Sequence, residues 1–113
     1  MNPRILVQLF HILFVGGLFL YAGIVQEKMA KSLFTIFFIL GIGILGYHLF
    51  RAYIKMISEK PYWINLIHIF IVAPLLISIG YYKENTSRRY FEMLLMLGFA
   101  SIGYHGYYLI RGE

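Results

Sequence analysis

Gly41 to His48 reads GIGILGYH, and Gly98 to His105 reads GFASIGYH. The two stretches lie 57 residues apart, and the offset extends well beyond them. Shifting the chain by 57 without a gap also pairs Leu9 with Leu66, His11 with His68, Ile12 with Ile69, Val15 with Val72, Leu18 with Leu75, Gly23 with Gly80, Glu27 with Glu84, Phe34 with Phe91 and Leu40 with Leu97. With Gly41/Gly98, Gly46/Gly103, Tyr47/Tyr104 and His48/His105 that makes 13 identical pairs. Leu, Ile and Phe match by chance in any apolar chain. All four histidines falling into two matched pairs is much harder to obtain that way. The pattern reads as a tandem duplication, repeat 1 covering about residues 5–56 and repeat 2 about 62–113.

The composition around these stretches places the chain in a class. Of 113 residues, 60% are hydrophobic and 13% charged, which lies outside the range of soluble domains and within that of integral membrane proteins. Residues 1–113 are expected to form a single transmembrane domain. There is no cysteine, so disulfides, thiolate metal sites, iron–sulfur clusters and covalent c-type haem are excluded. The net charge of +5 comes from basic residues at segment ends, which suit anchoring at a membrane surface and form no nucleic-acid patch.

Four apolar runs, about residues 5–25, 32–54, 61–82 and 90–110, the first of them uncharged, each reach the ~20 residues a bilayer span needs. The first is too long for a signal-peptide core of ~7–15 residues, so a retained span is expected. Pro3 and Pro61 suit the first turn of a helix, and Tyr62 and Trp63 suit the aromatic belt of an interface. In lipid the backbone must satisfy its own hydrogen bonds, so the runs are helices, and their short turns make neighbours antiparallel. The expected fold is therefore all-α: an integral membrane four-helix bundle of two tandem two-helix repeats. An even number of spans separates the copies. They share an orientation and are related by a pseudo-two-fold axis along the membrane normal. Basic residues divide evenly between the two ends of the spans, so charge selects no orientation.

His11 lies about six residues into the first run and His48 about six before the end of the second. At 1.5 Å per residue both sit roughly 9 Å from the same surface. The repeat carries His68 and His105 to that level in the other two helices. Gln8 lies one turn from His11, and Asn65 one turn from His68, as a partner that orients an imidazole would. Gly41 and Gly98 lie two turns from His48 and His105 and let a helix or a flat ligand approach the backbone. Gly46 and Gly103 point away from the histidines and are expected to serve helix contacts elsewhere. Pro74, matched by Gly17, marks a weak point past His68. Arg88 and Glu92 are spaced for an i,i+4 ion pair.

Intramembrane histidines are functional-site candidates. His11, His48, His68 and His105 are expected to ligate a haem b or a transition-metal ion near one face of the bilayer, for electron transfer, with Gly41 and Gly98 beside the cofactor. Symmetry offers two opposed pairs for haem iron, His48 with His105 or His11 with His68, with Arg51 or Tyr108 near the propionates. A bare ion held by all four imidazoles needs no thiolate. Partners on this reading are the lipid bilayer and a redox protein or a second copy of the chain. Two other functions compete. One is a small structural or assembly protein of a membrane, a viral one for instance, with histidines as interhelical hydrogen bonds. The other is a histidine-gated proton or ion pore, against which stands the lack of a continuous polar path. No nucleophile–base pair, phosphate loop or carboxylate pair is present, which disfavours a hydrolase or transferase.

Overall fold

The computed structural model describes residues 2–112. Among them are four helices, α1 (Pro3–Lys28), α2 (Lys31–Ile57), α3 (Trp63–Asn85) and α4 (Arg88–Arg111), and no strand. The helices hold 23 to 27 residues. At 1.5 Å per residue that is about 35–40 Å, against about 30 Å of bilayer hydrocarbon. All four are long and apolar enough to cross a membrane.

Local chemistry sets the ends. Asn2 caps α1 by accepting the Arg4 N–H at 2.8 Å, and Pro3 occupies the first turn, where its missing N–H costs nothing. α2 closes in a Schellman motif: Lys60 N–H bonds Lys55 O at 2.8 Å, Glu59 N–H bonds Met56 O at 3.3 Å, and Glu59 takes a left-handed φ of 57°. Pro61 follows this motif and stops α2. The expectation that it opens the third helix is thus corrected, since α3 begins at Trp63. Arg88 Nε and Glu92 Oε2 form the expected i,i+4 pair at 3.7 Å on an exposed face.

The described chain divides into two compact units. One joins the residues up to Gln26 with those from Ser87 onward, and in it α1 packs on α4. The other runs from Glu27 to Thr86 as a hairpin of α2 and α3. Each unit takes one helix from residues 5–56 and one from 62–113.

Inside each unit, small residues bring two backbones together. In α1–α4, a Cβ at Gly23 would lie 2.6 Å from Leu95 Cβ, and one at Gly98 would lie 3.1 Å from Leu20 N. In α2–α3, a Cβ at Gly80 would lie 2.5 Å from Phe38 N, and one at Gly41 would lie 2.9 Å from Ile77 N. Gly23 and Gly80, Leu95 and Phe38, Gly98 and Gly41, and Leu20 and Ile77 are all 57 residues apart. Around these contacts Phe19, Ala22, Phe91 and Leu94 are buried in the first unit, and Phe34, Phe37, Leu76 and Ile79 in the second. A Cβ at Gly46 or Gly103 meets no neighbour within 4 Å, so the close contacts fall on glycines other than these two. Large apolar side chains also point outward: Phe14, Ile24, Phe70, Met96 and Ile110 are 68% to 88% exposed.

The α-helical parts of α1 and α3 end alike. Gln26 has φ 59° and ψ −128°, and Lys83 has φ 54° and ψ −127°, each sending its N–H back to the carbonyl four residues earlier. Residues with a Cβ hold this conformation at a strain of roughly 1–3 kcal/mol. That exceeds the about 0.5–1 kcal/mol entropic cost of glycine. Lys83→Gly is therefore expected to stabilise the protein by about 1 kcal/mol. Thermal unfolding in detergent measures it, and a lowered midpoint would contradict the strain.

Candidate functional site: two histidine pairs

The four histidines are half-buried and form two stacked pairs, one in each unit. In α1–α4 the His11 and His105 rings stack with centroids 4.2 Å apart and planes at 25°. In α2–α3 the His48 and His68 rings stack at 4.0 Å and 12°. Gly98 and Gly41, each seven residues before its histidine, lie against the partner helix and hold the backbones close enough for rings from two helices to touch. Both glycines are buried, and what approaches each is the neighbouring helix. Tyr104 and Tyr47 set an edge against the imidazoles of His105 and His48, each at 5.1 Å.

The hydrogen bonds fix the tautomers. His11 Nδ1 lies 2.9 Å from Val7 O and His68 Nδ1 lies 2.8 Å from Ile64 O. A carbonyl only accepts, so both Nδ1 atoms carry the proton and a neutral ring has its lone pair on Nε2. Both helices widen into a π-turn here, over His11–Gly16 and His68–Val72. Pro74, which lacks an N–H, stands just past the widened turn in α3. Gly17 stands at the matching place in α1, so the feature common to both is the imidazole bonded back onto the preceding turn.

The amides act across the helix pair. Gln8 and Asn65 lie one turn from His11 and His68 in sequence, yet their partners are His105 and His48 on the other helix. Gln8 Oε1 accepts from His105 Nδ1. Asn65 is oriented the other way. Lys55 Nζ donates to Asn65 Oδ1 at 2.8 Å, and an ammonium can only donate. The amide nitrogen therefore faces His48 Nδ1, at 2.9 Å, and donates to it. His48 accepts at Nδ1 and carries its neutral-form proton on Nε2.

Sequence reasoning took Lys55 as an interfacial anchor and missed this role. The available signal was its spacing of seven from His48, two turns along the same face. Ser101, one turn before His105, was missed likewise; its hydroxyl donates to His11 O at 3.4 Å. Beside the α1–α4 pair, Arg4, Gln8, Tyr104 and Tyr108 line an open groove of about 400 Å³. Among the described residues, no three His, Asp or Glu side chains come together as a metal-ligand group. Comparison with protein-family models, with curated proteins and with solved structures finds no match.

Proposed function

We propose that the chain is an integral membrane protein, a tandemly duplicated two-helix hairpin assembled as a four-helix bundle with its two copies in parallel orientation. Four helices of spanning length, with large apolar side chains facing outward, support the membrane assignment. The duplication is supported by the contacts that recur at an offset of 57, the glycine crossings, the histidine stacks and the amide bonds alike.

Within that class, the protein holds a haem b or a transition-metal ion through histidine nitrogen and serves electron transfer. The observation that carries this reading is the orientation of His11, His68 and His105. Each donates Nδ1–H to a carbonyl oxygen, as ligating imidazoles do, so the lone pair falls on Nε2. Arg4 and Tyr108, in the groove beside His105, supply a cation and a phenol for a cofactor's carboxylates. The test is an absorption spectrum of detergent-purified protein, air-oxidised and then dithionite-reduced, with elemental analysis of the same sample. A Soret band that shifts on reduction, or a stoichiometric transition metal without one, is the expected result. Neither signal in a folded sample would overturn the reading.

The histidines alternatively serve as interhelical clamps in a structural membrane protein. The direct ring-to-ring contact, 4.0 and 4.2 Å, favours this second reading. Its signature is a colourless, metal-free protein in which His105→Ala lowers stability by only about 0.6–2 kcal/mol.

A further inference from the structure

We propose that the open groove on α1–α4 seats the headgroup of one anionic phospholipid, with its phosphate on Arg4 and Tyr108. This rests on the membrane assignment above and needs no cofactor. A bare ion on the histidines leaves the groove to the lipid, whereas a haem's carboxylates compete for it.

The lining is one-sided in its chemistry. Arg4, Gln8, Tyr104 and Tyr108 surround about 400 Å³, within the ~300–1,000 Å³ range of small-molecule sites. A guanidinium, an amide and two phenols all offer hydrogen-bond donors, and among the described residues no carboxylate lines the groove. Arg4 is exposed in the first turn of α1, and Tyr108 lies in the last turn of α4. Tyr104 stands one turn before Tyr108, with ring centroids 4.9 Å apart, so the two phenols form one wall. Phosphate oxygens accept from phenol and guanidinium alike, and the planar guanidinium matches them two at a time.

Depth selects the source of the phosphate. α1 and α4 hold 26 and 24 residues. Centred on about 30 Å of hydrocarbon, each leaves roughly 3–5 Å outside it at either end. Arg4 then sits in the headgroup layer and Tyr108 at its inner edge. Gln8 and Tyr104 lie one turn deeper, at the level of a lipid's glycerol esters. Ala100 and Met96 continue from Tyr104 at intervals of four along one exposed stripe, and Met96 is 69% exposed. An acyl chain thus finds an apolar lane where the polar lining stops, and a free anion makes no use of it. A choline headgroup brings its own ammonium toward Arg4, so the attraction favours a lipid without one.

The full chain, delipidated in detergent, is offered phosphatidylglycerol, phosphatidylcholine of the same acyl chains, or inorganic phosphate, and bound lipid is counted by native mass spectrometry. The expected result is one phosphatidylglycerol per chain, held about fivefold more tightly than phosphatidylcholine. Arg4→Met removes that preference, and Tyr108→Phe, which keeps the ring, weakens it about two- to fivefold. Arg89→Met takes an exposed cation from the other end of α4 and leaves the preference intact. Equal retention of the two lipids overturns the proposal, as does equal loss in Arg4→Met and Arg89→Met, which diffuse surface charge would give. Millimolar inorganic phosphate that displaces the lipid completely overturns the lipid as the occupant. Alkaline carbonate extraction of membranes from expressing cells separates the two readings. A chain that stays in the membrane yet shows no lipid preference overturns this site alone, and a chain released by carbonate overturns the membrane assignment with it.

Discussion

Gly80→Ala is expected to destabilise the protein by about 1–3 kcal/mol, the range for overpacking a well-filled interior. A helix-interior glycine replaced by alanine ordinarily gains up to about 1 kcal/mol, because alanine loses less backbone entropy and has the higher helix propensity. Here the gain is overridden. The new methyl carbon would sit 2.5 Å from Phe38 N and 2.6 Å from both Phe38 Cα and Cβ. These atoms belong to or adjoin the backbone of α2, so no rotamer change relieves the contact. The helices must part by roughly 1 Å to reach ordinary carbon contact distances of about 3.5–4.0 Å. A gap of that size forfeits a quarter to a half of each neighbouring dispersion contact. In α2–α3 those neighbours include Phe37, Leu76 and Ile79, all fully buried. Gly23→Ala is the matched change in α1–α4 and is expected to be milder, since its nearest atom is Leu95 Cβ at 2.6 Å and the backbone begins at 2.9 Å. Gly46→Ala, with no atom within 4 Å, is the control and should be neutral or stabilising. Thermal midpoints of the three variants in one detergent decide the matter. A Gly80→Ala protein as stable as Gly46→Ala would refute the backbone crossing.

The glycine crossings also show where sequence reasoning reaches its limit. The four long apolar helices were legible because hydropathy over some 20 residues is a property of a segment by itself. The ion pair of Arg88 and Glu92 was legible because both partners lie on one helix, a turn apart. Gly41 and Gly98 drew notice through the GYH stretches, whereas Gly23 and Gly80 were merely one matched pair among others. A glycine becomes informative only when the backbone facing it is known, and that depends on which helices pair.

The histidines illustrate the same point. The offset of 57 relates His11 to His68 and His48 to His105. Contact relates His11 to His105 and His48 to His68, because each unit combines helices from both halves. That an amide serves an imidazole was legible. Which imidazole it serves, and which of its two ends it offers, were not, since the answers lie on the facing helix. Pro61 was misassigned for a related reason. A proline is equally at home in the first turn of a helix and just after a Schellman motif, and only the Lys60-to-Lys55 bond tells them apart.

Asn65→Leu is expected to be the costliest single polar deletion in the chain. Asn65 is 3% exposed, and its amide uses both ends, accepting from Lys55 Nζ and donating to His48 Nδ1. Leucine fills a similar volume but offers neither function. Removing one partner from a buried hydrogen bond costs about 1–3 kcal/mol, and more where the group left behind is charged. Lys55 recovers part of the loss by extending its four-carbon stem toward water, which places the net effect at about 2–3 kcal/mol. Gln8→Leu makes the matched change in α1–α4. Gln8 is only half-buried and has no lysine at the position matching Lys55, so about 1 kcal/mol is expected. Lys55→Met alone should also cost about 1 kcal/mol, because it retains the apolar stem and leaves the Asn65 amide able to turn. The double variant Lys55→Met with Asn65→Leu separates the two halves of the bridge. If the ammonium is held by the amide, the combined cost falls below the sum of the single costs, by a coupling of about 0.5–3 kcal/mol. Full additivity in that cycle would mean that Lys55 and Asn65 contribute independently, and the fixed orientation of the amide, with the tautomer of His48 that follows from it, would have to be abandoned.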